Sequence, residues 1–342
     1  MNSSRTPIGN YGKFRLISHL TEGAEPVNRT SAGKPGDDAA VIDSGSSLTL
    51  VSTDLLLEGI HFNLVYTPLK HLGYKAVIRA ISDIYSMNGT PGQVLAAIGV
   101  SSRFVVEQLE ELYAGIMMAC KRYEVDLAGG DMTSSVTGLT IGMTAVGTVG
   151  KDSIVKRSGA RPNDLICVTG DFGASYMGLQ LLERERKLFD KDSSFQPDLS
   201  GKEYIVGRQL KPEFPAKIID SLRDEGILPT AMIDVSDGLA SDLIHVCRLS
   251  GTGCRIWYDR IPVDTETAMM AEEFGIDPVT AALNGGEDYE LLFTADLADM
   301  EKVRNIPGVK VIGHMTAPGE AYVLVNEAGT EAELKAQGWE GN

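Results

Sequence analysis

Cysteine is scarce and poorly placed for bridging or for zinc. The 342 residues hold four, Cys120, Cys167, Cys247 and Cys254, with no Cys-x-x-Cys pair. Neither a disulfide framework nor a zinc ribbon is expected, and free thiols are. The five histidines show no paired-ligand spacing. Basic charge is also short. Lys and Arg number 31 against 47 Asp and Glu, for a net charge of -16. That balance argues against nucleic acid and against anionic membranes as partners. No apolar run is long enough to span a bilayer. Met1 to Gly12 is polar, so no secretory leader is expected and cytoplasm is the default.

Familiar nucleotide motifs are missing too. Gly142 and Gly147 are spaced as in a Walker A loop, but Thr148 stands where lysine is required. Gly251-Thr252-Gly253 lacks the third glycine of a dinucleotide fingerprint. Asp171-Phe172-Gly173 matches a protein-kinase tripeptide, but no His-Arg-Asp precedes it, which excludes that class. Gly170 and Gly173 there shape a turn before a helix. That turn is either a plain helix start or a backbone cradle for phosphate.

What the chain does have is aspartate beside small residues. Seven stand in five short motifs: Gly36-Asp37-Asp38-Ala39, Ser52-Thr53-Asp54, Ser82-Asp83, Gly129-Gly130-Asp131 and Asp234-Val235-Ser236-Asp237. One such motif is more often a turn or a helix cap. Five together point to magnesium and phosphate. Hard cations take oxygen ligands, and gathered carboxylates repel one another unless a cation or a proton intervenes. An acidic protein also needs metal ions to hold polyanionic substrates.

The length suggests two domains, and 43% hydrophobic with 23% charged residues is ordinary for a globular chain. Residues 38–54 read as a hairpin that sends Asp38 and Asp54 toward one end of a sheet. Thr67 caps a helix with Pro68 in its first turn, running to about Met87. Leu72, Ala76, Ala80, Ile84 and Met87 form its apolar stripe, and Asp83 borders that inward face. A carboxylate there needs donors or a cation. Further strands are expected at 93–100, 125–128, 139–149, 164–169, 231–235, 254–258, 289–294, 309–312 and 322–325. Helices are expected at 104–123, from 174 to about 186, at 203–210 and at 215–225, and Ser236 or Asp237 is expected to cap another. The fold class is α/β (α+β), two mixed-sheet domains with helices packed on the sheets, divided into residues 1–152 and 153–342.

Further motifs in chain order are His61-Phe62, Met87-Asn88-Gly89, Arg157-Ser158-Gly159-Ala160, Asp237-Gly238-Leu239 and Gly285-Gly286-Glu287-Asp288-Tyr289-Glu290. Together with the aspartate motifs they resemble the thiamine-monophosphate kinase family, within the aminoimidazole-ribonucleotide-synthetase-like superfamily. The resemblance covers roughly residues 12–340. It implies ATP-dependent phosphorylation of thiamine monophosphate to thiamine diphosphate. It implies several magnesium ions on Asp38, Ser52, Thr53, Asp54, Asp83, Asp131, Asp234 and Asp237, with Asp54, Asp83 and Asp131 central to catalysis. It places ATP on Tyr113, Gly130, Asp131, Arg157 and Ser236, and the thiamine end on His61, Glu287 and Trp339. It also implies a homodimer whose N-terminal sheets pair, with the nucleotide held largely by the N-terminal domain.

By themselves several of these residues read more blandly. Tyr113 sits mid-helix, where an aromatic is usually core. His61 alone reads as a surface histidine, and Glu287 as a loop carboxylate. The chain departs from the family at Met132, where threonine is common, and after Trp339, where Glu340-Gly341-Asn342 replaces Asp-His-Phe. Relatives on the same fold are the rivals. A selenophosphate synthetase would carry a reactive cysteine near the N-terminus, but the first here is Cys120. A hydrogenase-maturation dehydratase would end in cysteine, but this chain ends in Asn342. Aminoimidazole ribonucleotide synthetase gives no reason for the Gly-Gly-Glu-Asp-Tyr-Glu run. A non-catalytic nucleotide-binding regulator would need fewer acidic motifs.

Overall fold

The computed structural model describes residues 13–192, 194 and 196–336. After helix α1 (Lys13–Thr21) come strands β1 (Ala40–Asp43) and β2 (Leu48–Leu57), helix α2 (Leu69–Ser86), β3 (Thr90–Val100), α3 (Val106–Tyr123), β4 (Asp126–Ser134) and β5 (Thr140–Val149). The second half holds β6 (Leu165–Thr169), α4 (Ala174–Lys191), α5 (Glu203–Leu210), α6 (Lys217–Asp224), β7 (Ala231–Val235), α7 (Leu239–Ser250) and β8 (Gly253–Trp257). It ends with α8 (Thr265–Glu273), α9 (Pro278–Asn284), β9 (Glu290–Ala295), α10 (Met300–Asn305), β10 (Val309–Thr316), β11 (Tyr322–Val325) and β12 (Glu331–Glu333).

Two mixed sheets result. The first has five strands in the order β1-β2-β5-β3-β4, with β3 and β4 parallel. The second has seven, β12-β11-β8-β10-β6-β9-β7, with β11 and β8 parallel. Along β2 the even residues from Leu48 to Leu56 turn toward the helices, while Thr53 and Leu55 face out. That period of two follows from the pleat. The outer face of the first sheet therefore presents Leu55 and Leu95 to solvent.

Helix α2 is the axis of the molecule. It lies against β2, β3 and β5 and also meets β7 and α5 of the second half. Thirteen of its 18 residues are buried, including Lys75, Ser82 and Ser86. A helix covered nearly all round is a core helix, so the five-residue apolar stripe understates its burial. Pro68 stands at the N-cap itself, one residue later than the sequence suggests. The strand at 125–128 is longer than expected. The bare glycines let it continue through Gly129-Gly130-Asp131 as an edge strand, paired with β3 from Gln93 to Val100. Neither Ser236 nor Asp237 caps α7. Gly238 takes that place, and the Asp242 carboxylate instead accepts the backbone N–H groups of Ser236 and Asp237, both at 3.1 Å. All four cysteines are free and buried. No helix among the described residues is long and apolar enough to cross a membrane.

Helices α2 and α3 cross with backbones in close approach. A Cβ on Gly115 would stand 1.9 Å from the Lys70 carbonyl oxygen, and one on Gly73 would stand 2.0 Å from that of Leu112. Gly115→Ala should lose about 2 kcal/mol or more in urea unfolding, despite roughly 1 kcal/mol of helix propensity gained. Gly207→Ala in α5, where a Cβ meets nothing within 4 Å, is the matched control and should leave stability unchanged or raised.

Candidate active site

Three carboxylates from distant parts of the chain converge under α2. Asp38 precedes β1, Asp83 lies in the last turn of α2, and Asp234 sits in β7. One oxygen of each lies within 4.8 Å of the others. The β1–β2 hairpin carries Asp38 and Ser52 to the N-terminal side, and the contact of α2 with β7 brings Asp234 up from the second sheet. Ser52 donates its hydroxyl to Asp83, and Ser82 donates to Asp234 at 2.7 Å. Arg157 grips one oxygen of Asp38 through Nε at 2.9 Å and Nη2 at 2.6 Å. Its backbone N–H donates to Asp37 at 3.1 Å. Asp54 stands alongside and accepts from Arg79 Nε at 2.8 Å.

The electrostatics are those of a site short of positive charge. Burial pushes the Asp38 carboxyl up to about 7, with Arg157 opposing and Asp234 adding repulsion. Burial, then Asp234, Asp54 and Asp38, hold Asp83 well above the usual range. Burial raises Asp234 as well, against its hydrogen bond from Ser82 and the pull of Arg157. Asp38 Oδ2 and Asp54 Oδ2 are buried without a partner. Orphaned carboxylate oxygens within an all-oxygen donor set fit a hard divalent cation such as magnesium.

A second strand of the site is a strained loop. Gly285-Gly286-Glu287-Asp288-Tyr289 is laid over the end of β7. Glu287 N–H donates to Ser236 O at 2.9 Å and Tyr289 N–H to Val235 O at 3.0 Å. Glu287 and Tyr289 both adopt left-handed backbone, φ 57° and 52°. Such conformations persist only where surrounding contacts impose them. Here they turn Glu287 back onto α2, where Lys75 meets it at 2.7 Å and Arg79 at 3.4 Å. Burial would raise the Glu287 carboxyl, but Lys75, Arg79 and His61 outweigh it and hold it below its ordinary value.

Glu287 also lines a cavity of about 510 Å³ with His61, Phe62, Tyr66, Tyr176 and Glu183. His61 accepts the Leu57 N–H at Nδ1, 3.1 Å away, which sets the Nε2-protonated tautomer. Burial and then Arg79 lower its pKa, so the neutral ring is favoured. Tyr66 donates to Glu183 at 2.9 Å, and Arg186 pairs with the same carboxylate at 2.8 Å. The cavity lining thus combines two carboxylates, Glu183 and Glu287, with aromatic rings.

Other residues singled out from the sequence stand apart. Asp131 pairs in register with Ala97 on the outer face of the first sheet, where the two share an open groove with Leu55 and Gly142. Thr53 lies on that same face and meets Thr144 Oγ1 at 3.0 Å. At Gly130 a Cβ would meet the Ala96 carbonyl oxygen at 1.9 Å, so a side chain there would part β3 from β4. Tyr113 packs from α3 against the apolar core. Asp237 is paired with Lys13 of α1 at 2.5 Å. Trp339 lies outside the described residues. Sequence reasoning missed Lys75 and Arg79. Their signal was a polar line, Lys75, Arg79, Ser82 and Ser86, at helical spacing on an otherwise apolar helix.

These carboxyls titrate higher in the fold than the value of about 3.9 in an unfolded chain, so the folded protein binds protons more tightly. For Asp38 that stabilisation is present below the unfolded pKa and is lost as pH rises through about 7. In EDTA the melting temperature should fall from about pH 5 to about pH 8, and magnesium added at the upper end should restore it. A melting temperature flat with pH and unmoved by magnesium would remove the cluster as a proton and metal site.

Residues 36–149 match the family described as AIR synthase related protein, N-terminal domain. The thiamine-monophosphate kinase of Aquifex aeolicus is 32% identical over 318 residues, 90% of this chain and 96% of the relative. That of Bacillus subtilis is 31% identical over 334 residues, 96% and 98% of the two chains. A solved structure of AaThiL complexed with AMPPCP and TMP superposes with a TM-score of 0.83 at 27% identity, covering 99% of this chain and 100% of that one. Both matches extend along nearly the whole chain. The chain belongs to the thiamine-monophosphate kinase family.

Proposed function

We infer that this chain transfers the γ-phosphoryl group of ATP to thiamine monophosphate, giving thiamine diphosphate. The observation that carries this reading is the junction of the acidic cluster with the cavity. Arg79 touches Asp54 on one side and Glu287 on the other, so a molecule in the cavity can extend a phosphate toward the aspartates. The cavity suits thiamine. His61 and Glu287 offer a donor and an anion, and the two tyrosines offer faces for a thiazolium cation. Trp339 is assigned to the same end by family resemblance.

Transfer is direct and in line. The acceptor is a phosphomonoester whose second pKa is about 6, a dianion at neutral pH, so no general base is required. The chain's task is to position two anions and offset their repulsion. Asp38, Ser52, Asp54, Asp83 and Asp234 would hold the magnesium ions, and Asp237, paired here with Lys13, is assigned to them by resemblance. Bound there, magnesium supplies the positive charge that lets the phosphates approach. Arg157, beside Asp38, and Ser236, at the end of β7, face the nucleotide phosphates. Tyr113, Gly130, Asp131 and Thr53 are assigned to nucleotide and metal by resemblance alone.

Residues 1–152 form the nucleotide- and magnesium-binding unit, and residues 153–342 complete the site. The uncovered outer face of the first sheet, with Leu55 and Leu95, supports pairing of two copies through that sheet. The cytoplasm, where ATP is abundant, is the expected compartment.

One coupled assay tests the reading. ADP release with MgATP should require thiamine monophosphate and should fail with thiamine or with aminoimidazole-pathway substrates. Asp83→Asn should cut kcat by about 100-fold or more, as expected for losing a group that organises transition-state charge. Equal ADP release without thiamine monophosphate, or near-normal turnover by Asp83→Asn at low magnesium, would overturn it.

A further inference from the structure

Arg79 stands where neither the structure of α2 nor the cavity alone requires a cation. Its side chain is 16% exposed, placed between Asp54 and Glu287, themselves 18% and 23% exposed. The two contacts are unequal. Nε meets Asp54 Oδ1 at 2.8 Å, while Nη1 is 3.4 Å from Glu287 Oε1. Glu287 has a better partner in Lys75, which is nearly sealed off, at 2.7 Å, and Lys75 is also fixed by the Gln209 carbonyl at 2.9 Å. Lys75 is thus committed to the loop. Arg79 is held chiefly by Asp54, whose Oδ2 is buried with no partner. That carboxylate is one of the oxygens a divalent cation would claim.

We propose that Arg79 is a tethered cation that exchanges partners. In the metal-free protein it neutralises Asp54. Once Asp54 engages a divalent cation, the guanidinium is displaced and grips the acceptor phosphomonoester as that group crosses from the cavity to the aspartates. The proposal rests on the functional reading above. Its physics is that a guanidinium is always charged and presents a planar fork matched to phosphate oxygens. It sits one helical turn before Asp83 and on the line joining cavity to cluster, so an anion moving along that line meets it first. The exchange also keeps charge in balance. No state leaves Asp54 or the acceptor phosphate buried without a cation.

Two measurements on the whole protein test this. The first is Mn²⁺ binding followed by electron paramagnetic resonance, without nucleotide or substrate. Arg79→Gln removes the competing cation and should tighten Mn²⁺ binding several-fold. Arg79→Lys keeps a charge and should leave it within about threefold of wild type. The second is steady-state kinetics. Arg79→Gln should raise KM for thiamine monophosphate about 10- to 100-fold, the range expected for one charge-assisted contact, with KM for MgATP little changed. Arg79→Lys should raise it about fivefold or more, because an ammonium cannot reproduce the fork. The lysine variant carries the kinetic test by itself if the glutamine variant does not fold. Unchanged KM for thiamine monophosphate in the folded variants, or weaker Mn²⁺ binding in Arg79→Gln, would overturn the proposal. If wild type fails to phosphorylate thiamine monophosphate, the functional reading fails instead. Unchanged Mn²⁺ binding in Arg79→Gln then overturns the exchange on its own.

Discussion

Mutual repulsion among buried carboxylates is the constraint on which this molecule turns. Asp38, Asp83 and Asp234 lie within 4.8 Å, drawn from a hairpin, a helix and a strand of the other sheet. Burying that much like charge is unfavourable unless protons or cations share the space. The protein supplies some of the compensation itself. Arg157 closes on Asp38, Arg79 on Asp54, and hydroxyls from Ser52 and Ser82 on the other two. What remains uncompensated is the functional content of the site. Orphan oxygens on Asp38 and Asp54 mark where positive charge is still wanted.

Helix α2 makes this arrangement possible. It is buried by both halves, and the close crossing at Gly73 and Gly115 seats it firmly against α3. A helix so enclosed can hold polar groups in fixed positions, because their rotamers are limited by neighbours on every side. Its polar line then serves two ends. Asp83 and Ser82 face the acidic cluster, and Lys75 faces the Gly-Gly-Glu loop, with Arg79 between. The loop reaches α2 only because Glu287 and Tyr289 accept left-handed backbone under the hold of β7. Strain in that loop and charge on α2 are two aspects of one junction between the acidic cluster and the cavity beside it.

Much of this was legible beforehand, and the reasons differ from element to element. The β1–β2 hairpin could be read because alternation and a Ser-Gly turn are local signals. The aspartate motifs could be read because small neighbours around acidic residues are unusual five times over. The extent of β4 was hidden, since glycine has weak strand preference and only pairing with β3 extends it through Gly129-Gly130. The cap of α7 was misread because the helix starts only after Gly238, and the N–H groups of Ser236 and Asp237 are instead drawn onto the Asp242 carboxylate, a contact between turn and helix that no local signal announces. Arg79 escaped notice because a basic residue on a helix is ordinarily solvated.

The amino-acid sequence by itself determined the inventory: the acidic motifs, the mixed two-sheet architecture and the family to which the chain belongs. Those rest on local preference and on motif order, which a linear string carries in full. Tertiary structure alone decided which aspartates meet. Asp38, Asp83 and Asp234 come together, while Asp131 and Thr53 take the outer face of the first sheet. It also decided that Lys75 and Arg79 are buried counter-charges and not a solvated stripe. The physical reason is that Coulomb forces and desolvation depend on distance and burial in space, and both are set only when two sheets close around one helix.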